Sequence, residues 1–331
     1  MGTNGQGVIN MTKLSVFIVT YNSAALLRPC LDSLLLQNVP DTEIIVVDNA
    51  SRDDTVDLVR GHYPAVKLIA SDRNLGFGNA NNLALQQADG DFIILLNPDA
   101  TLAPNCLQQA VEHMQQNPGA GMGGGLLQAP NQAWQPSARQ FPSLLNEFLV
   151  LSGLANRFPQ SPFFGRSDRS WADSQQAAVV DWVPGAFAIL RRDLIERIGL
   201  FDPRFFLYYE EVDLCRRIHQ AGYKVHYWPD LVITHIGGAS SQTVDALTFS
   251  SSGKQLTLWR MRSQLLYYRK WHGSFYSSLV MTLEQCWHRL RALRNASKSP
   301  TKSDESKNIV RLWQQAWLET DGGRISPEQP W

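Results

Sequence analysis

The chain is poor in the features that organise small secreted or membrane-spanning proteins. Its four cysteines, at positions 30, 106, 215 and 286, lie far apart and form no CxxC pair. This argues against a disulfide framework and a thiolate zinc site, and points to reduced thiols in a cytoplasmic protein. No apolar run reaches the roughly 18 residues that a spanning helix needs. The opening MGTNGQGVIN lacks a hydrophobic signal core. There is no excess of one charge either, with 30 Lys+Arg against 30 Asp+Glu, so no overall attraction to nucleic acid is expected. A Walker loop, an H-E-x-x-H pair and a nucleophile elbow are missing, and the Gly-rich NLGFG lacks the GxGxxG spacing of a dinucleotide fold.

What is present is enough apolar material for a filled core, 44% against 18% charged residues. The neutral total hides a split. Residues 1–253 carry 17 basic and 24 acidic side chains, whereas residues 254–294 carry eight basic and one acidic. The basic arm interleaves its cations with Trp259, Tyr267, Tyr268, Trp271, Phe275, Tyr276 and Trp287. One reading is an arm whose rings enter a headgroup layer while its cations meet anionic lipid. The other is a helical pair packed on the body with its charges solvated.

Apolar β-branched runs at Leu14–Thr20, Glu43–Asp48, Val66–Ala70 and Phe92–Leu96 read as buried strands, with helix-like spacing between them. That alternation predicts a layered α/β sheet, whose ligands sit beyond the carboxyl ends of the strands. Residues 119–176 are rich in Gly, Pro, Gln and Ser and read as long loops around a short helix near 143–155. Order is expected again over Val179–Leu190, a helix over Glu210–Gln220, and short strands at Lys224–Trp228 and Leu231–His235. Residues 295–308 (NASKSPTKSDESKN) are of low complexity and read as a mobile linker to a terminal helix over Ile309–Leu318.

Polar clusters follow the strands. Thr20-Tyr21-Asn22 and Asp48-Asn49-Ala50-Ser51 could receive a pyrimidine base and ribose; alternatively, Asn22 and Ser51 cap helices and Asp48 supports a turn. Asn97-Pro98-Asp99 places a carboxylate where Mg²⁺ or Mn²⁺ could be shared with a phosphate, or forms a Pro-Asp turn. Phe205 to Tyr209 set four aromatics before Glu210, Glu211 and Asp213. Burial behind such a wall would raise a carboxyl towards a useful base. His235 ends a strand and could complete a metal shell.

Taken in order, TYN, VVDNAS, NLGFGNANN, LLNPDA, WVPGAFAILRR, GLFDPRFFLYYEEVDLCRR and a downstream TH resemble the inverting family 2 glycosyltransferases of GT-A fold, closest to the rhamnosyltransferase-like branch. The match covers about residues 13–240. It implies an α/β fold, a Rossmann-like mixed sheet flanked by helices with a C-terminal helical extension. It further implies a flexible segment over 1–12, a catalytic domain over 13–250 (nucleotide-binding half 13–118, acceptor half 119–250), the basic extension over 251–294 and a linker with terminal helix over 295–331.

By position, the resemblance places Thr20, Tyr21, Asn22, Asp48, Asn74, Gly76, Phe77, Asn79 and Asn97 around the nucleotide and donor sugar. Trp182, Gly185, Ala186 and Tyr209 fall on the acceptor side. Asp99 and His235 would serve the metal, Mg²⁺ or Mn²⁺, and Glu211 the base. Two departures stand out: the usual DxD reads Asn-Pro-Asp, and the acidic pair reads Glu-Glu, leaving Glu210 and Glu211 both open as the base.

The implied activity is metal-dependent transfer of a sugar, L-rhamnose from dTDP-rhamnose first, onto a saccharide that is polyprenyl-diphosphate-linked, in cell-surface polysaccharide synthesis. A UDP-sugar transferase for galactose, glucose or N-acetylglucosamine, a non-catalytic nucleotide-sugar module and a nucleotidyltransferase are the rivals. The expected place is the cytoplasm, with peripheral contact at the inner face of the membrane through 254–294.

Overall fold

The computed structural model describes residues 12–237 and 254–327. Apart from Thr12, the segment expected over 1–12 lies outside them, as does the boundary placed at 250. Strands β1 (Leu14–Thr20), β2 (Thr42–Asp48), β3 (Lys67–Ala70) and β4 (Phe92–Leu96) pair in parallel in the order β3-β2-β1-β4. Their apolar runs are continuous because both faces are covered. Val16, Ile18 and Val46 meet α1 (Ala24–Leu35), α2 (Thr55–His62) and α4 (Cys106–Gln116) on one side. On the other side Phe17, Ile45 and Leu95 meet α3 (Gly76–Leu85), α7 (Arg192–Ile198) and α8 (Glu210–Gln220). Helix α1 buries Leu27, Cys30, Leu31 and Leu34, the i, i+3, i+4, i+7 stripe of its sequence.

The sheet continues through β9 (Phe187–Arg191), β6 (Ala120–Gln128), β10 (Lys224–His235) and β5 (Ala100–Leu102), with β7 (Trp134–Gln135) on β6 and β8 (Ala178–Val180) on β10. Strand β9 runs antiparallel to β4 and β6, so the sheet is mixed, as expected. The two short strands expected at 224–235 are one strand, interrupted by a register shift between Trp228 and Val232 where Pro229-Asp230 stands.

The expectation of loop at GAGMGGG is wrong: it forms β6 in the middle of the sheet. A Cβ on Gly123 would lie 1.9 Å from the Trp228 ring, and one on Gly125 would lie 2.2 Å from the Leu231 carbonyl. The glycines are there for close packing, which outweighs their poor strand propensity. The short helix near 143–155 is present as α5 (Leu144–Leu151) and α6 (Leu154–Arg157).

The C-terminal arm is α9 (Lys254–Asn295), kinked at Gly273 (φ 83°), followed by α10 (Pro300–Glu319). Thus 300–308, expected within a mobile linker, is helix. Its small Ser303 and Ser306 are buried between the two helices, Ser303 donating to the Ala292 carbonyl at 2.9 Å, a close approach that larger apolar residues would prevent. The arm also corrects the lipid-inserting reading for several of its rings. Tyr267 and Tyr268 are buried with Phe205 and Val212 of the body, and the buried Trp259 packs on the Phe206 ring.

Candidate functional site

The carboxyl ends of β1 and β2 are laced together. Thr20 Oγ1 donates to Asp48 Oδ1 at 3.1 Å, and the Ser51 backbone N–H donates to Asp48 Oδ2 at 2.9 Å. The Asn22 N–H donates to Ser51 Oγ at 2.8 Å, and Asn22 Oδ1 accepts from the Arg52 N–H at 2.8 Å. The two sequence clusters therefore meet. Asp48 is 1% exposed, and both of its oxygens accept from protein donors. In this structure it shapes the wall at the strand ends, the turn-supporting alternative, while the half-buried Tyr21 stands beside it.

Asn49, not singled out for a role, is the next tie. Its amide donates to the Gly76 carbonyl at 3.1 Å and accepts from the Leu75 N–H at 3.2 Å, fixing the loop that carries Asn74, Gly76, Phe77 and Asn79. Asn74 Oδ1 accepts from the Gly76 N–H at 2.8 Å. Gly76 has φ 79°, and a Cβ there would sit 2.2 Å from the Phe206 carbonyl oxygen. That approach lets the Phe77 N–H donate to Phe206 at 2.9 Å, while Asn79 donates to the Pro203 carbonyl at 3.3 Å. The donor-side loop is thus fastened to the segment leading into the acidic pair. Gly185 leaves room for the Phe77 ring, which a Cβ would approach to 3.2 Å.

The third tie crosses the sheet. Strand β5 pairs antiparallel with β10, His235 opposite Ala100, so Asp99 and His235 come together. Their Oδ1 and Nε2 atoms are 3.4 Å apart, both nearly buried. His235 Nδ1 lies 2.9 Å from Gln135 Oε1. An amide oxygen only accepts, which assigns the ring proton to Nδ1 and turns the Nε2 lone pair towards Asp99 and the Asn97 amide, 3.4 Å away. Asp99 Oδ2 accepts from the Gly237 N–H at 3.1 Å. A ring nitrogen and a carboxylate facing each other at this distance suit a shared cation. Among the described residues no cluster of three or more His, Cys, Asp or Glu could hold a metal, so the remaining ligands would have to come from substrate oxygens.

Tyr208 and Tyr209 have φ of 70° and 68°, a left-handed pair of bulky residues immediately before α8. Such backbone is strained and persists only where its surroundings hold it. It turns the chain so that α8 begins with the acidic pair. Glu210 is 4% exposed, and burial together with the neighbouring Glu211 charge pushes its carboxyl well above the usual range. Burial also raises Glu211, tempered by the Arg139 guanidinium. Each keeps one buried oxygen without a protein partner. Asp213 is committed elsewhere, paired with Arg217 at 2.9 Å and Lys270 at 2.6 Å.

Glu211, His235, Trp182, Ala186 and Tyr209 line one cavity of about 940 Å³, which runs on between the body and the arm. Asp99 reaches it through His235. Glu210, Asn97, Gly185 and the residues at 20–22, 48 and 74–79 are not on its wall; most of the latter stand behind the strand ends. Arg139 and Gln135 also line it, and nothing in the local sequence marked them.

The chain is similar to known proteins over much of its length. The model of "Glycosyl transferase family 2" matches residues 15–199. The N-acetylglucosaminyl-diphospho-decaprenol L-rhamnosyltransferase of Mycobacterium tuberculosis is 30% identical over 233 residues, 67% of this chain and 75% of that protein. The rhamnosyltransferase WbbL of Escherichia coli K12 is 27% identical over 229 residues, 66% of this chain and 82% of its own. Among solved structures, the mannosyltransferase PcManGT of Pyrobaculum calidifontis, in complex with GDP-Man and Mn²⁺, superposes with a TM-score of 0.54 at 18% identity, covering 93% of this chain and 88% of its own. GalNAc-T7 with UDP, GalNAc and Mn²⁺ gives 0.57 at 16% identity, covering 96% and 59%.

Proposed function

The chain belongs to glycosyl transferase family 2, with the GT-A fold and a rhamnosyltransferase-like sequence, and from that premise we propose that Glu211 is the base of an inverting sugar transfer in cell-surface polysaccharide synthesis. The observation that carries this is that Glu211 and His235 share one cavity wall, with Asp99 against His235. Glu211 rather than Glu210 lines the cavity, which supports Glu211 as the base. Its carboxylate takes the proton of an acceptor hydroxyl as that oxygen attacks the anomeric carbon. The bond to the nucleoside diphosphate breaks on the opposite face, and the centre inverts. Proton removal of this kind contributes about 10²–10⁴-fold.

The donor we favour is dTDP-rhamnose, on the two rhamnosyltransferase relatives; a UDP-sugar is the alternative. The acceptor we favour is a saccharide on a polyprenyl diphosphate. Asp99 and His235 fit a divalent ion, Mg²⁺ or Mn²⁺, which when bound neutralises charge on the leaving diphosphate. The protein's own part is to hold those two groups in register through β5, β10 and Gln135. Among the described residues no helix is long and apolar enough to cross a membrane. We propose peripheral contact with an anionic lipid surface through the exposed side of α9 instead, where Phe275, Leu290 and Leu293 face solvent.

The test is product analysis. Incubation with dTDP-rhamnose or UDP-sugars and a lipid-linked saccharide should release free nucleoside diphosphate, and chelation should stop it. Release of pyrophosphate would assign a nucleotidyltransferase. Absence of turnover with every donor that shifts the melting temperature would leave a binding module.

A further inference from the structure

The cavity continues past Glu211 into a chamber walled by the arm, beyond the family-matched residues 15–199. Arg260 and Gln264 line it from the first part of α9, His288 and Arg291 from the second, Ile309 and Leu312 from α10. Among the described residues, neither Arg260 nor Arg291 forms an ion pair, whereas Arg262, two positions on, is paired with Glu319. His288 is 9% exposed and its Nδ1 is buried without a partner. Two exposed guanidiniums without ion pairs and a buried imidazole nitrogen without a partner border one half-open cavity, an arrangement that suits an anionic ligand with several oxygen atoms.

The chamber's inner carboxyls do not cancel those cations. Burial raises Glu147, whose Oε1 accepts from Tyr268 at 2.8 Å, and burial pushes Glu284 up to about 7. Burial thus weakens the negative charge that these two carboxyls set against the nearby Arg260. Asp168 is matched by Arg139 at 3.3 Å, and Glu305 lies at the exposed rim. The wall also has an apolar side in Val150, Leu151, Ile309 and Leu312. The strand-end residues assigned to the nucleotide are not on this wall, which leaves the space to the other substrate.

We propose that Arg260 and Arg291 clamp the diphosphate of a lipid-linked acceptor in this chamber, so that the attached sugar extends along the cavity to Glu211 while the first isoprene units lie on the apolar side. The inference rests on the transfer reading above and assigns that reading's acceptor a place on this chain.

The test uses the full-length protein and titration calorimetry in chelator-containing buffer, which suppresses metal-dependent binding of diphosphate at Asp99 and His235. Farnesyl diphosphate, inorganic pyrophosphate and farnesol are the probes. Farnesyl diphosphate should bind most tightly. Arg260→Ala and Arg291→Ala should each weaken it by about tenfold or more, as expected for losing a charge-assisted contact, and Arg→Lys should restore part of the affinity. Nucleotide affinity in Mn²⁺ should be unchanged, showing that the variants are folded. Unchanged binding in the double alanine variant overturns the proposal, and so does farnesol binding as tightly as farnesyl diphosphate. Equal affinity for inorganic pyrophosphate overturns its lipid part. A wild type that transfers sugar yet does not bind farnesyl diphosphate refutes the chamber alone. Arginine-dependent farnesyl diphosphate binding without any sugar transfer supports the chamber and refutes the transfer reading instead.

Discussion

Asp213 and Lys270 join the catalytic helix to the C-terminal arm, carboxylate to ammonium at 2.6 Å, with Asp213 wholly buried. The same carboxylate accepts from Trp271 Nε1 at 2.8 Å and from Arg217 at 2.9 Å, while Lys270 also reaches Asp202 at 2.8 Å. The arm is therefore part of the body's core and bears on the placement of Glu211 two residues away. Asp213→Asn should destabilise the fold by about 2 kcal/mol, because it removes a wholly buried charged acceptor from Lys270, Arg217 and Trp271, although Lys270 keeps Asp202 and Arg217 keeps its backbone carbonyls. Chemical denaturation checks this. A wild-type midpoint and slope would show that the network contributes nothing.

Glu211 lines the cavity and Glu210 does not, and kinetics can test the roles proposed for them. Glu211→Gln should lower kcat by about 10²–10⁴-fold with little change in donor affinity. Glu210→Gln should keep most of the activity, since that carboxyl is buried off the cavity wall, where burial and the Glu211 charge favour its protonated form. In the wild type the acid limb of the kcat profile should lie above the ordinary glutamate range, because burial raises Glu211. A limb at the ordinary value would assign the proton transfer to a solvated group.

Glu284 makes stability depend on pH. It faces Glu147 of α5, Arg260 and His288 of α9 and Trp313 of α10, and burial lifts it from 4.5 to about 7. Between those values the folded state holds a proton that the unfolded state has lost, so stability falls as pH rises and the fall ends above pH 7. The span corresponds to about 3 kcal/mol. Unfolding free energies measured from pH 5 to pH 8 should fall in the wild type and fall less steeply in Glu284→Gln, the remaining slope coming from the other raised carboxyls Glu147, Glu210 and Glu211. Parallel curves would place the titration elsewhere.

How much of this was legible beforehand depended on whether a residue's neighbours are local. The β1 to β4 runs declared themselves because strands covered on both faces need unbroken apolar sequence. The meeting of Thr20 and Asn22 with Asp48 and Ser51 followed from parallel strand ends. Strand β6 was hidden, since its glycines make sense only once Trp228 and Leu231 are in place across from them. Helix 300–308 was hidden for the same reason, its serines being chosen by the neighbouring helix. Gln135, which orients His235 from 100 residues away, and Arg139, which tempers Glu211, carry no local signature. The aromatic arm was ambiguous because buried and lipid-facing rings look alike in a one-dimensional pattern.

Gly76 offers a test of how the donor loop is held. Its positive φ alone would make alanine strained, and the Phe206 carbonyl lies where a Cβ would go. Gly76→Ala should therefore cost more than the usual ~1 kcal/mol of a misplaced Cβ and should weaken nucleotide binding by displacing Phe77 and Asn74. Melting temperature and nucleotide affinity measure the two effects. Wild-type nucleotide affinity in a destabilised variant would separate the loop from the donor site.

The exposed apolar side of α9 is where the proposed membrane contact can be tested. Phe275, Leu290 and Leu293 are 76%, 65% and 75% exposed and, at their spacings, lie on one side of α9, flanked by Arg289 and Arg294. Deleting the arm would be uninformative, since Tyr267, Tyr268 and Trp313 belong to a core shared with Phe205 and Val212. Replacing Phe275, Leu290 and Leu293 with serine removes only solvent-facing apolar area and should leave the melting temperature within about 1 kcal/mol of wild-type stability. Wild type should sediment with anionic vesicles and be released by salt, whereas the triple variant should stay in the supernatant at every ionic strength. If both partition alike, the exposed stripe is not the membrane contact, and the buried rings leave no aromatic alternative among Trp259, Tyr267 and Tyr268.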